Sequence, residues 1–376
     1  MAHDGRYDLR KGWGRNIIAK PLYEQLAEAA LCSVGEGIPW RSLLAKDHLT
    51  VAFMGGSVTQ GYANLAIHRG AYPELVANAL CERGCSTECV LCAEAGMGTM
   101  QGNLIADQYV LARRPDIVFL EFAINETTLK PSVISFESLL RKLLTAPDPP
   151  VVCLLMLRSM QGYSCESFMV PIAEHYHLPH ISLNKALAPA MERGDLTWQD
   201  YGDEESHPNP EGHRLLAEMV LHLLDAAKEA PETAPLPLPE PWLDAPYTGL
   251  WFLQPEPHAE GVQTDCEIIP RPYQTYFPTA WKICREGGAF RLTVRCRVLL
   301  VFYETHRLPE FGSCRITVDG EPMKQPLIQS NSLYGWGNAK FVTAVSSAEE
   351  AEHTLLLEPE EENVYLLGFG ICGHEA

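Results

Sequence analysis

The chain has 376 residues and a formal net charge of -19, from 48 acidic and 29 basic residues. Hydrophobic residues make up 46% and charged residues 20%, an ordinary globular composition with enough apolar material for two domains. A strongly acidic chain lacks the clustered Lys and Arg that bind polyanions. Nucleic acids and membranes are therefore not expected partners.

The cysteines bear on the cellular compartment. No apolar run approaches the length needed to cross a bilayer, and the opening MAHDGRYDLRKGWGRN has no stretch typical of a secretory signal. The 12 Cys therefore predict reduced thiols in a cytoplasmic protein rather than a disulfide framework. The tightest group, Cys81 to Cys92, falls partly on a helical and partly on a strand pattern, which argues against a metal site.

The chain up to residue 230 alternates short apolar strands with helical stretches. Strands are predicted at 51–54, 89–92, 117–122 and 151–156, with a weaker one around Ile181. Helices are predicted near 72–83, 101–114, 136–144, 168–176 and 210–230. This alternation favours a parallel sheet covered on both faces, a three-layer α/β domain that binds ligands at the carboxyl ends of its strands.

A proline-rich connector separates this part from a different one. Residues 231–242, PETAPLPLPEPW, favour an extended backbone. Mostly alternating strands are then predicted at 290–296, 298–304, 314–318, 353–357 and 365–372, which favours an all-β sandwich of jelly-roll type. The predicted domains are residues 49–230 and 243–376, with residues 1–48 as an extension that packs on the first.

A glycine-rich turn follows the first strand, with the sequence GGSVTQG over residues 55–61. Small residues before Ser57 allow a sharp strand-to-helix turn that exposes the Ser hydroxyl at the edge of the sheet. A phosphate-binding loop would carry a Lys before the Ser, and none is present. Taken alone, the segment is also consistent with a simple turn in which Ser57 caps a helix.

Two further loops are expected to meet Ser57 at the same edge. Gly98 follows the second strand and Asn125 follows the third. A backbone N–H and a side-chain amide are suitable uncharged donors for an oxyanion. Each also has a simpler interpretation, since a Gly before a helix is often steric and an Asn at a strand end is often a cap.

The segment DEESHPNPE, residues 203–211, places a His before the last helix. Asn209 can cap that helix with Pro210 in its first turn, which would hold His207 on a short lead-in. Glu204, three residues before His207, can reach back to the imidazole and fix its tautomer. A loop His beside solvated acids is the alternative interpretation.

Together the four segments resemble the SGNH, or GDSL, hydrolase superfamily over residues 49–229. The resemblance implies that Ser57 is the nucleophile and His207 the catalytic base. It also implies an oxyanion hole formed by Ser57, Gly98 and Asn125, with no metal or organic cofactor.

The chain departs from the usual family pattern at two positions. Gly56 stands where the family usually has Asp, which spares the nucleophile. Glu204 stands at the position of the triad acid, where the family usually has Asp. Asp203 or a backbone carbonyl therefore remain alternatives for orienting His207.

The second part of the chain bears on the substrate. Tyr334 and Trp336 lie among Gly and Asn in residues 331–338, a setting that suits stacking on sugar rings, although core packing is the alternative. The layout and the segments GGSVTQG and EFAINE resemble the two-domain acetylesterases of carbohydrate esterase family 17. That resemblance implies a serine esterase that removes O-acetyl groups from an oligosaccharide, with a manno-oligosaccharide as one candidate, and a carbohydrate-binding role for the β-sandwich.

Two other functions remain open at this stage. One is an esterase for lipids, thioesters or general short-chain esters, which would tolerate loss of the second domain. The other is a non-catalytic glycan-binding protein, which the Glu204 departure would allow. The sequence does not predict an oligomeric state.

Overall fold

The computed structural model describes residues 20–61, 70–202, 205–272, 274–361 and 363–373. Within these ranges an α/β region precedes an all-β region, so the predicted fold class is confirmed. The α-helices are α1 (Lys20–Ala30), α2 (Trp40–Leu44), α3 (Ser57–Gln60), α4 (Tyr72–Glu82), α5 (Thr99–Tyr109), α6 (Lys130–Leu144), α7 (Glu166–His175), α8 (Leu183–Arg193), α9 (Trp198–Tyr201) and α10 (Pro210–Glu229). Short 3-10 turns lie at Leu111–Arg113 and Arg285–Gly287.

The strands of the α/β region are β1 (Leu31–Val34), β2 (His48–Gly55), β3 (Ser86–Ala93), β4 (Ile117–Glu121), β5 (Val151–Met156) and β6 (Pro179–Ser182). The strands of the all-β region are β7 (Trp251–Leu253), β8 (Val262–Gln263), β9 (Glu267–Pro270), β10 (Thr279–Ile283), β11 (Phe290–His306), β12 (Ser313–Val318), β13 (Glu321–Gln329), β14 (Trp336–Pro359) and β15 (Val364–Cys372).

The first sheet has the strand order β1-β6-β5-β4-β2-β3. Strands β2 to β6 pair in parallel, as predicted, whereas β1 pairs antiparallel with β6 at the edge. One face of the sheet packs on α1, α4, α8 and α10, and the other packs on α5, α6 and α7. The strands are almost wholly apolar because helices cover both faces, and the strand ends before α3, α5 and α6 lie at one edge.

The all-β region is a sandwich made by bending one continuous sheet. Its strand order is β13-β12-β14-β11-β15-β10-β9. Phe369 of β15 pairs with Val301 of β11. The ring centroid of Phe369 nevertheless lies 5.6 Å from that of Phe290, at the other end of β11. Residues 290 and 301 would lie roughly 36 Å apart on a straight strand, so β11 must fold over to bring its ends together. A buried apolar core fills the space between the two halves.

The two regions share part of one hydrophobic core. Leu104 of α5 and Leu139 of α6 belong to the same buried cluster as Phe277 and Phe302 of the all-β region. The backbone N–H of Ala93 donates to the Tyr276 hydroxyl at 2.7 Å across the same interface. Trp281 is also buried, so core packing is the role of Tyr276, Phe277 and Trp281. Tyr273 lies outside the described residues.

The connector is held against the α/β region by a buried carboxylate. Glu137 of α6 accepts hydrogen bonds from the backbone N–H groups of Trp242, Leu243 and Asp244, and from the Tyr176 hydroxyl at 2.6 Å. An extended segment with so many Pro residues has few donors of its own, and its last N–H groups converge on one acceptor. The connector is therefore anchored rather than free.

None of the 12 Cys forms a disulfide. In the described part of the chain, no helix is long and apolar enough to cross a membrane. The described residues also contain no group of three or more His, Cys, Asp or Glu side chains that could hold a metal ion.

Candidate active site

The Ser and the His singled out in the sequence lie within hydrogen-bond distance. Ser57 opens α3 directly after β2, and Ser57 Oγ lies 2.8 Å from His207 Nε2. Both side chains are half-buried, so a substrate can reach them. Gly61 ends the short helix in the left-handed region, at φ 86°, which returns the chain after a single turn.

The two glycines before Ser57 make room for different neighbours. An ideal Cβ on Gly55 would lie 2.5 Å from Thr59 Oγ1 and 3.0 Å from Glu121 Oε2. One on Gly56 would lie 2.5 Å from Asn125 Oδ1 and 2.6 Å from its Nδ2. The Asn125 amide therefore lies directly against the turn over residues 55–61, named the nucleophile turn after the predicted role of Ser57. A side chain at position 56 would displace this amide from its present place.

His207 is held on a short segment between α9 and α10. Asn209 Oδ1 caps α10 by accepting from the backbone N–H of Gly212 at 2.9 Å, and Pro210 is the first helical residue. A bridge between Gly202 and Pro208 closes the loop that carries the His. The two carboxylates proposed to orient the imidazole, Asp203 and Glu204, lie outside the described residues.

The two predicted oxyanion loops are tied to each other. Gly98 is the N-cap residue of α5 and has no side chain with which to cap it. Glu126 Oε1 takes this role by accepting from the Thr99 N–H at 2.6 Å and from the Thr99 hydroxyl at 2.7 Å. Because Glu126 follows Asn125 directly, this carboxylate fixes the Gly98 loop beside the Asn125 loop. Glu126 could not be predicted from the sequence, because its partner Thr99 is 27 residues away.

A buried carboxyl lies under the nucleophile turn and was also missed. Glu121, the last residue of β4, is fully buried and accepts a hydrogen bond from Thr59 Oγ1 at 2.9 Å. Burial raises the pKa of Glu121 to about 8, although hydrogen bonds from Thr59 and Gly56 act in the opposite direction. The signal in the sequence was a single Glu that ends an otherwise apolar strand, IVFLE.

The side chain of Trp336, in the all-β region, packs against the loop that carries Gly98. An ideal Cβ on Gly96 would lie 3.1 Å from Trp336 Cζ2. Trp336 is 56% exposed and Tyr334 is 81% exposed, so neither is a core residue. Glu94, at the start of the same loop, accepts from the backbone N–H of Thr275 at 3.4 Å, and burial raises its pKa. The all-β region therefore reaches the edge of the candidate site.

Comparison with known proteins agrees with the fold. Residues 53–215 match the family model described as the GDSL-like Lipase/Acylhydrolase family. No curated protein matches the chain. Two solved structures of a two-domain esterase active on acetylated mannans, one co-crystallised with mannopentaose, each superpose with a TM-score of 0.80 at 22% identity. Each superposition covers 93% of this chain and 99% of the esterase. The resemblance to the SGNH or GDSL hydrolases is thus confirmed over residues 53–215, which match the model of the GDSL-like lipase and acylhydrolase family.

Proposed function

We propose that this protein is a serine esterase that removes O-acetyl groups from an oligosaccharide, with a manno-oligosaccharide as the first choice of substrate. The observation that carries the proposal is the 2.8 Å distance between Ser57 Oγ and His207 Nε2, with the Asn125 amide packed against the same turn. The family match supports ester hydrolysis, and the activity of the structurally similar mannan esterase supports the choice of substrate.

The chemistry is acyl transfer to water. His207 Nε2 takes the Ser57 proton as the hydroxyl oxygen attacks the acetyl carbonyl, which requires the imidazole tautomer with its proton on Nδ1. The oxyanion accepts hydrogen bonds from the N–H groups of Ser57 and Gly98 and from the Asn125 amide. His207 then gives the proton to the departing sugar hydroxyl, and water releases acetate from Ser57 by the same route.

A carboxylate completes the proposed triad. Glu204 accepts the hydrogen bond from His207 Nδ1 in this scheme, and Asp203 is the alternative. Either carboxylate would hold the ring in the tautomer that leaves Nε2 free to take the Ser57 proton.

The exposed aromatics suit a glycan that lies across both regions. Trp336 can stack on a sugar ring next to the loop that carries Gly98, and the exposed Tyr334 lies two residues before it in the chain. A neutral glycan is compatible with the net charge of -19. We also propose a cytoplasmic location and an imported oligosaccharide as substrate, because all 12 Cys are free thiols.

The test is mass spectrometry of acetylated manno-oligosaccharides and xylo-oligosaccharides after incubation with the enzyme. We expect stepwise loss of acetyl groups, fastest from the mannose series. Ser57→Ala should lower turnover by a factor of about 10⁴ to 10⁶, because the nucleophile is lost. Near-normal deacetylation by Ser57→Ala would remove the proposed mechanism.

The competing functions give different outcomes. An esterase for lipids or thioesters would prefer phenyl butyrate or octanoate to phenyl acetate and leave the oligosaccharides acetylated. A glycan-binding protein without catalysis would bind the oligosaccharides and release no acetate from any ester.

A further inference from the structure

A buried polar cluster lies beneath the nucleophile turn, and the proposed reaction does not use it directly. Glu121 of β4 pairs with Gly55 of β2 in the sheet, and the missing side chain of Gly55 leaves space for the Glu121 carboxyl and the Thr59 hydroxyl. Thr59 Oγ1 lies 2.9 Å from both Glu121 Oε2 and the Tyr72 hydroxyl. The carboxyl is therefore connected to the turn that presents Ser57.

Hydrogen bonds from Thr59 and Gly56 reach the Glu121 carboxyl but leave its Oε1 without a partner among the described residues. Glu121 Oε1, the Tyr201 hydroxyl and His213 Nε2 are buried polar atoms that have no hydrogen-bond partner among the described residues. An ionised carboxylate with one unpaired oxygen would be strongly unfavourable there, whereas the neutral acid needs fewer partners. Burial therefore favours the protonated form at neutral pH, in line with a pKa of about 8.

The groups that face Glu121 supply no positive charge. Burial and then the Glu121 carboxyl raise the pKa values of Tyr72 on α4 and Tyr201 on α9 well above the usual range, so both are neutral. Burial and the nearby His207 lower the pKa of His213 on α10 to about 3, so this imidazole is neutral as well.

We propose that Glu121 is a positioning residue whose protonated carboxyl holds the nucleophile turn in place. We also propose that ionisation of this carboxyl at alkaline pH lowers the esterase activity. This inference rests on the esterase function proposed above. Loss of the proton to solvent would place a full negative charge in the turn whose N–H groups stabilise the oxyanion. The transition state adds negative charge at the same place, so the two charges repel each other in a poorly solvated site.

The sign of the pH dependence follows from the raised pKa of an acid. Glu121 is neutral below about pH 8 and ionised above it, so activity is present below this value and falls above it. The alkaline limb of the profile therefore reports on Glu121.

The experiment is a pH profile of kcat for phenyl acetate in a pH-stat, with blank rates subtracted. Wild type should lose about tenfold or more in kcat between about pH 7 and about pH 9.5. Glu121→Gln has nearly the same shape and cannot ionise, so its rate relative to its own value near pH 7 should change by no more than about twofold. A purely structural role would lower the rate by one factor at every pH and keep the alkaline limb.

A matched control and a second variant show whether a changed pH profile is specific to Glu121. Glu94→Gln replaces a half-buried carboxyl that also has a raised pKa, directly after β3 and outside the nucleophile turn, and it should keep the alkaline limb. Thr59→Val removes the side-chain member of the three hydrogen bonds that lower the pKa of Glu121, so its alkaline limb should move to higher pH. The shift in Thr59→Val can be measured even if Glu121→Gln does not fold.

The outcomes separate this inference from the proposed function. A flat wild-type profile, an unchanged alkaline limb in Glu121→Gln, or an unshifted limb in Thr59→Val would overturn the role of Glu121. Each of these results would leave the esterase function intact, provided that Ser57→Ala is inactive in the same assay. Full activity of Ser57→Ala would instead remove the esterase mechanism itself.

Discussion

Gly56 of the nucleophile turn matters because it has no side chain. The Asn125 amide occupies the place where a side chain on Gly56 would be, with contacts of 2.5 and 2.6 Å to an ideal Cβ. We expect Gly56→Ala to push this amide away from the oxyanion and to lower kcat by about 10²-fold, close to the 10² to 10³ expected for Asn125→Ala. Steady-state kinetics on phenyl acetate would measure both, and KM should change far less than kcat.

A double variant shows whether the two substitutions act through one interaction. Gly56→Ala combined with Asn125→Ala should cost little more than Asn125→Ala alone, because the same hydrogen bond is lost once. Losses that multiply would mean that Gly56 acts independently of the amide. Gly287→Ala is a suitable control, because its Cβ would make an ordinary 3.4 Å contact with Cys266 in the all-β region.

Single substitutions can also identify the carboxylate that orients His207. If Glu204 orients His207, Glu204→Gln should lower kcat much more than Asp203→Asn, since an amide cannot stabilise the imidazolium. The comparison needs only kcat for the two variants at one pH. The reverse ranking would assign the role to Asp203, and two small effects would assign it to a backbone carbonyl.

The residues that could be predicted from the sequence are those that end strands of one parallel sheet. Ser57 and Asn125 follow neighbouring strands, so the fold alone brings them to one edge. Glu121 could not be assigned in the same way, because its hydrogen-bond partner Thr59 is 62 residues away and both lie inside the structure. A carboxyl in an apolar strand indicates a special environment, but not which side chains create it.

At the scale of elements, the start of α5 is held by a neighbouring loop. Glu126 Oε1 accepts from the Thr99 N–H, and the Tyr163 hydroxyl holds the Glu126 carbonyl at 2.5 Å. We expect Glu126→Ala to free the Gly98 loop and to lower kcat about tenfold, which corresponds to loss of a charge-assisted hydrogen bond. Glu126→Gln keeps an acceptor oxygen and should restore most of the rate in the same assay. An equally low rate for both variants would mean that the charge matters and the hydrogen bond does not.

Regular elements were predicted where the period of apolar residues was clear. The prediction of two strands at 290–296 and 298–304 was wrong, because β11 is one strand whose register shifts between Cys296 and Val298. Such a shift interrupts the alternation on which the prediction depended. The antiparallel edge strand β1 was also missed, since its partner β6 is distant in the chain and four residues carry little pattern.

At the scale of the whole molecule, the two regions form one packed body. Phe277 and Phe302 share a core with α5 and α6, and Glu137 anchors the connector through three backbone N–H groups. Deleting the all-β region would expose this core, at a large free-energy penalty. Loss of activity after such a deletion would therefore not distinguish a carbohydrate esterase from a general one, and a point substitution on the surface is the better test. The sequence predicted the connector but not this interface, because side chains on two sheets and two helices build it.

Trp336 is the residue where the whole-molecule arrangement bears on substrate choice. Its indole lies on Gly96 of the Gly98 loop and is 56% exposed, so a sugar ring could stack on it beside the reacting acetyl group. We expect Trp336→Ala to raise KM for acetylated mannopentaose by about 5- to 15-fold, in line with about 1 to 1.5 kcal/mol for an aromatic stack. Phenyl acetate has no sugar rings that could contact Trp336, so its KM should rise much less.

Trp251→Ala is a matched control, since Trp251 is an exposed Trp on β7. Gln254, three residues after it, forms a hydrogen bond with Gln108 at the far end of α5. Equal effects of Trp336→Ala on both substrates would mean that the all-β region supports the fold of the site and does not bind the glycan.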